Sequence, residues 1–145
     1  MQQVFVFGTL KEGFPNFSTN KGRRVPGDFT TKSSYPLYLI GERNSPWLVL
    51  DEGKGHPVKG QVFEVSDETL ADIDRLERIT KPDGYRRIML EVVCKQTGEA
   101  SQVFVYCKPK IQLQNMLIQQ ELAGDYTLEH AKLYTPRSIE AVATP

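Results

Sequence analysis

Apolar residues along this chain fall in short runs, and the runs predict strands more often than helices. Val4-Phe5-Val6-Phe7 carries no polar break, the pattern of a strand covered on both faces. It ends at Gly8, where the lost side chain lets another group approach the main chain. Residues 11–34 are rich in Gly, Asn, Ser, Thr and charge, with Pro15 and Pro26, and predict a long loop with at most a short helix. Residues 35–50 predict two short strands broken between Gly41 and Pro46. After the turn formers Gly53, Gly55 and Pro57, residues 58–65 read as a strand with Val58, Gly60 and Val62 on one face. Two further strands, 87–95 and 102–107, form a hairpin joined through Thr97-Gly98.

Two segments break the strand pattern. Ser66 is a good N-cap, and Asp67 and Glu68 put negative charge in a first helical turn, where the dipole favours it. Val65 and Leu70 occupy the positions of a hydrophobic staple. This helix is expected to run to about residue 79 and to end before the turn Lys81-Pro82-Asp83-Gly84. A second helix is expected near 111–122, stopping at Gly124, and the tail after about residue 125 reads as loop. The order of strand, loop, strands, helix, hairpin and helix predicts an α+β fold. Its sheet is mixed or mostly antiparallel and curls into a small β-barrel with flanking helices.

On the helix, Leu70, Ile73 and residue 77 share one face by their i, i+3, i+7 spacing. Residue 77 is Glu, between Leu76 and Ile79, so this carboxylate points toward the core or a cavity in it. Burial and the negative end of the helix dipole both disfavour its charged form and push its pKa up, as a general base near neutral pH requires. The same position also suits an ion pair with Arg78, Arg86 or Arg87. At the end of the first strand, the N–H groups of residues 8–10 lose their strand partners and can form a nest for a carboxylate, with the Thr9 hydroxyl beside them. An ordinary strand and turn has the same residues. Tyr106 lies in a buried run, where its hydroxyl needs a partner, either a ligand or the protein itself. Trp47 is expected in the core or a pocket wall, and His56 and His130 in solvent.

Composition narrows the function. The 145 residues suit one domain over 1–145, long enough to bury a core. Eighteen basic and eighteen acidic side chains cancel, which argues against nucleic acid or an anionic membrane as partner. No apolar run reaches the length of a membrane span. Cys94 and Cys107 read as buried thiols of a reducing, cytoplasmic compartment. Two His and no Cys-x-x-Cys leave a zinc site without support, and no residue sits in a nucleophile motif. Nothing in the pattern specifies an oligomeric state.

The run Phe7-Gly8-Thr9-Leu10-Lys11-Glu12-Gly13-Phe14-Pro15-Asn16 resembles the opening motif of the γ-glutamylcyclotransferase-like (AIG2-like) superfamily, closest to its γ-glutamylamine cyclotransferase branch. The resemblance continues through Tyr35-Pro36-Leu37, Asn44-Ser45-Pro46-Trp47-Leu48, Gly60-Gln61-Val62-Phe63, Ile73-Asp74-Arg75-Leu76-Glu77, Tyr85-Arg86-Arg87 and Phe104-Val105-Tyr106, with a faint Tyr134-Thr135-Pro136-Arg137 in the tail. It implies a small barrel with flanking helices and a small-molecule γ-glutamyl substrate that cyclises to 5-oxoproline with release of an amine. It places the substrate loop at Phe7, Gly8, Thr9 and Leu10 and the catalytic carboxylate at Glu77. Tyr106 is a further candidate for contact with the substrate. No metal or cofactor is implied. The family usually has Tyr where this chain has Phe7. A binding module that holds a γ-glutamyl or amino-acid ligand without turnover is the alternative on the same fold, and a barrel acting only as an interaction scaffold is a third.

Overall fold

The computed structural model describes residues 1–136. Strand β1 (Gln2–Val6) runs antiparallel to β6 (His56–Val65) on one side and parallel to β8 (Ala100–Pro109) on the other. β6 also pairs with β3 (Phe29–Tyr35), β3 with β7 (Arg86–Cys94), and β7 with β8, all antiparallel. The pairing returns to its starting strand, so β1, β6, β3, β7 and β8 close a five-stranded barrel. β2 (Arg23–Arg24) adds to β6. An extension leaves the barrel at β8 through a parallel pair with β5 (Ser45–Leu50), continuing antiparallel to β4 (Leu37–Ile40) and β9 (Ile118–Leu122).

Both faces of β1 are covered, as its unbroken apolar run requires. Phe5 and Phe7 belong to one core cluster with Val62, Val92, Val103, Val105 and Tyr126. Val4 and Val6 point the other way, into a cluster with Phe63, Val65, Leu70, Ile73 and Tyr106. The second cluster is the seam between sheet and helix α1 (Asp67–Leu76), whose Leu70 and Ile73 bury one face. Ser66 Oγ caps that helix by accepting the Thr69 N–H at 3.1 Å.

The helix stops three residues before the expected 79. Arg78 adopts φ 56°, its N–H donates to the Arg75 carbonyl at 3.2 Å, and the Ile79 N–H reaches back to the Asp74 carbonyl at 3.2 Å. This is a Schellman ending with arginine in the left-handed position usually held by glycine. A side chain costs about 1 kcal/mol there, so the surrounding contacts must hold the turn. Glu77 is consequently the C-cap.

The expected helix at 111–122 is not formed. A short 3-10 turn (Lys110–Leu113) is followed by Asn115 at φ 62°, which breaks any helix, and then by β9. β9 instead satisfies the open edge of β4, pairing Leu37 with Leu122. The apolar side chains that suggested a helix, Ile111, Met116, Leu117 and Ile118, are exposed.

The loop expected over 11–34 holds the anticipated short turn (Phe17–Thr19) but also β2 and much of β3. β3 was hidden because only Phe29, Thr31 and Tyr35 of its seven residues are buried, and Thr31 is polar. Thr31 Oγ1 accepts the Val58 N–H at 2.8 Å across a bulge in the β3–β6 pairing.

The tail is not simply loop. Tyr126 is fully buried, and α2 (Leu128–Ala131) follows, with His130 Nδ1 accepting the Thr127 N–H at 3.0 Å. His130 therefore caps a helix rather than standing free in solvent. Arg137 and residues 138–145, including the end of the expected loop, lie outside the described residues.

Candidate active site

β1 and α1 end beside one another, and a cavity of about 320 Å³ opens between them. Its lining includes Phe7, Gly8, Thr9 and Leu10 from the strand end, Glu77 and Arg78 from the helix end, and Tyr106 from β8. Every residue proposed from the sequence thus borders one space. Among the described residues, none accepts a hydrogen bond from the N–H groups of Gly8, Thr9 or Leu10. The chain turns here instead through the Lys11 N–H to the Gly8 carbonyl at 3.1 Å and the Asn16 N–H to the Thr9 carbonyl at 2.8 Å.

Gly8 is required by packing. A Cβ there would lie 2.9 Å from Cγ of Pro46, whose ring cannot turn aside. Lys11 anchors the same loop from behind. Its ammonium is buried, donates to the Tyr126 carbonyl, and sits 4.3 Å from the Phe14 ring centroid. Burial pulls its pKa down, partly opposed by Asp125.

Opposite, Glu77 is half-buried. Its N–H donates to the Ile73 carbonyl at 2.9 Å, and its own carbonyl accepts the Tyr85 N–H at 3.0 Å. The Tyr85 hydroxyl in turn donates to the Pro46 carbonyl at 2.8 Å, which ties the helix end to the wall beside Gly8. Lys108, only 2% exposed, pins the segment behind Glu77 by donating to the Asp83 carbonyl at 2.5 Å and to Gln112 Oε1 at 3.1 Å. Its ammonium is also 4.3 Å from the Trp47 ring and 4.5 Å from the Tyr85 ring, where a desolvated cation gains most from an aromatic face. Trp47 is therefore a core residue that seats a buried lysine.

Tyr106 lines the cavity, but its hydroxyl donates to Asp74 Oδ1 at 2.6 Å. Asp74 Oδ2 accepts from Arg87 at 2.5 Å, and that guanidinium lies 4.7 Å from the Phe104 ring. Burial, followed by the Asp74 carboxylate, raises the Tyr106 pKa well above the ordinary phenol value. The phenol thus remains protonated and committed to the carboxylate. Tyr106→Phe is expected to lower stability by about 1–2 kcal/mol while leaving kcat within tenfold. A direct donor to a developing oxyanion would cost about a hundredfold or more in kcat, and that result would put the hydroxyl in the reaction.

Sequence reasoning missed Asn16, Arg43, Lys108 and Tyr134 as site-forming residues. Asn16, Arg43 and Tyr134 lie on loops, and Lys108 follows a buried run without any local sign that its charge turns inward. No group of three or more His, Cys, Asp or Glu placed to hold a metal occurs among the described residues. No helix among them is long and apolar enough to cross a membrane.

A closed five-stranded barrel with a cavity between the ends of its first strand and its main helix defines the architecture. The chain belongs to the gamma-glutamyl cyclotransferase, AIG2-like family, whose pattern matches residues 4–135. It is 32% identical to the Mus musculus gamma-glutamylaminecyclotransferase over 94% of this chain and 98% of the mouse protein. The Homo sapiens gamma-glutamylaminecyclotransferase is 31% identical with the same coverage of both chains. A crystal structure of an AIG2-like protein from Mus musculus superposes with a TM-score of 0.75 at 32% identity, covering 94% of this chain and 97% of that one.

Proposed function

We propose that this protein is a γ-glutamylamine cyclotransferase that converts a γ-glutamyl amine to 5-oxoproline and a free amine, with Glu77 as its general base and acid. The observation that carries this reading is the shared cavity. Glu77, at a helix end, borders the same space as residues 8–10, whose main-chain N–H groups no described residue uses. Relatives named for this activity, aligned over nearly the whole chain, support it.

The substrate's α-carboxylate docks on the N–H groups of Gly8, Thr9 and Leu10, with Phe7 forming the apolar floor. Glu77 takes a proton from the α-ammonium group. The freed amine attacks the γ-carbonyl carbon of the same molecule, closing a five-membered ring. The attacking nitrogen then sheds a second proton, and the bond from the γ-carbon to the departing nitrogen breaks. Glu77 delivers its proton to that nitrogen as the bond breaks, which restores the carboxylate, and the departing amine takes up the second proton, shed by the ring nitrogen, to become an ammonium ion. Because both reacting groups belong to one molecule, much of the acceleration comes from holding the chain bent within a cavity of this size. No protein nucleophile and no resident cofactor enters the sequence of steps.

The test is a panel of γ-glutamyl amines, including γ-glutamyl-ε-lysine, γ-glutamyl alkylamines and γ-glutamyl amino acids, with 5-oxoproline measured directly. Turnover of at least one member is expected. Silence across the panel, with a ligand that raises the melting temperature yet remains intact, would replace this reading with that of a binding module.

A further inference from the structure

Three side chains at one end of the cavity form a network that neither the carboxylate nor the bare main chain accounts for. The Asn16 amide nitrogen donates to Thr9 Oγ1 at 2.9 Å and to the Tyr134 hydroxyl oxygen at 3.2 Å. Thr9, Asn16 and Tyr134 all line the cavity. An amide nitrogen has two protons, and both are spent here. Each hydroxyl oxygen is thereby made an acceptor, so its own proton must be directed elsewhere. Among the described residues, no acceptor for either hydroxyl proton is found. The arrangement leaves two polarised O–H donors beside the N–H groups of residues 8–10.

Tyr134 is held there by tertiary contacts. The Thr135 N–H donates to the Arg43 carbonyl at 3.0 Å, Arg43 Nη1 donates back to the Thr135 carbonyl at 3.3 Å, and the Asn44 amide nitrogen reaches the Leu133 carbonyl at 3.4 Å. The Arg43 guanidinium lies 5.9 Å from the Tyr134 ring centroid, and its Nη2 donates to Ser45 Oγ at 2.9 Å. A segment beyond α2 is thus strapped across the loop at 41–44, and the strap delivers one phenol to the strand-end side of the cavity.

We infer that Tyr134 is a substrate-binding residue, and that it and Thr9, both oriented by Asn16, donate their hydroxyl protons to the α-carboxylate of the γ-glutamyl head group. A carboxylate accepts about four hydrogen bonds through its two oxygens, so two hydroxyls and the neighbouring N–H groups can be satisfied together. The inference rests on the proposed γ-glutamyl reading. It predicts uniform binding: the head-group carboxylate does not change charge during the reaction, so its contacts set KM rather than kcat.

The experiment compares the full-length wild type with Tyr134→Phe, which keeps the ring against Arg43. Kinetics on the best γ-glutamyl amine are paired with calorimetric binding of 5-oxoproline, which needs no turnover. The expected result is a rise of about tenfold in KM and a matching loss of 5-oxoproline affinity, with kcat within twofold, the effect of losing one hydrogen bond to a charged group. A second variant, Asn16→Asp, offers the hydroxyls an acceptor and draws their protons out of the cavity. In that background Tyr134→Phe should cost almost nothing further. Unchanged KM and 5-oxoproline affinity in Tyr134→Phe would overturn the inference, as would a fall in kcat alone, which would assign the phenol to the γ-carbonyl. If the wild type releases no 5-oxoproline from any substrate yet binds it, and Tyr134→Phe weakens that binding, the catalytic reading fails and this one stands. Absence of binding to the wild type overturns this one as well.

Discussion

Glu77→Gln is expected to reduce kcat for 5-oxoproline release by about a thousandfold, the scale on which a positioned general acid–base group works. Gln has the shape of Glu and can keep the cavity wall, so KM and the melting temperature should move little. The loss follows from chemistry: an α-ammonium group cannot attack a carbonyl until a base takes its proton, and an amide side chain cannot take it. The position is also demanding. Glu77 is the C-cap of α1, directly before a left-handed Arg78, and borders the cavity where the chain turns. Steady-state kinetics with direct measurement of 5-oxoproline, alongside circular dichroism, checks this. Release at the wild-type rate by the Gln variant would remove Glu77 from the reaction.

The largest stability effect is expected from Gly84→Ala. A Cβ at position 84 would overlap the main-chain carbonyl oxygen of Arg78 and crowd its Cβ. The obstacle is backbone, so no rotamer change relieves it. Arg78 cannot easily retreat, because its left-handed turn is bonded to the Arg75 carbonyl and the Lys81 N–H donates to the Arg78 carbonyl at 2.9 Å. Position 84 is held from the other side, where its carbonyl accepts from Gln112 at 3.0 Å and from Arg86 at 3.1 Å. Overpacking of this kind costs about 3 kcal/mol or more. For a chain of this size that lowers the melting temperature by roughly 6–12 °C. Activity should fall further than stability explains, since the displaced residue adjoins Glu77. A melting temperature within a degree of wild type would show that the turn yields freely.

The extent to which the chain is legible depends on how local each determinant is. β1 could be read because four consecutive apolar residues have no use except burial on both faces. The start of α1 could be read because a cap, acidic first turn and staple all lie within five residues of one another. Its end was misplaced because Arg78 takes a conformation that arginine does not announce, and contacts with Gly84 and Asp83 hold it there. β3 was missed because Thr31 and its serine neighbours look like loop, and its partners lie on β6 and β7, far along the chain. The region 111–122 was misread because its apolar residues mimic a helix face, while the open edge of β4 was invisible from the sequence.

The sequence by itself determined four of the barrel's five strands, β1, β6, β7 and β8, together with the helix that Glu77 caps, the glycine that clears the strand end, and the family resemblance that joined them. These depend on burial periodicity, capping and steric size, which act over a few residues. Only the tertiary structure decided that Tyr106 turns its hydroxyl to Asp74, that Lys108 is buried between two aromatic rings, and that Tyr134 returns from the tail to meet Asn16 and Thr9. The physical reason is that a polar side chain's partner is chosen by desolvation. A hydroxyl or ammonium taken out of water must bond to whatever the fold brings within about 3 Å, and nothing in its own neighbourhood along the chain specifies what that will be.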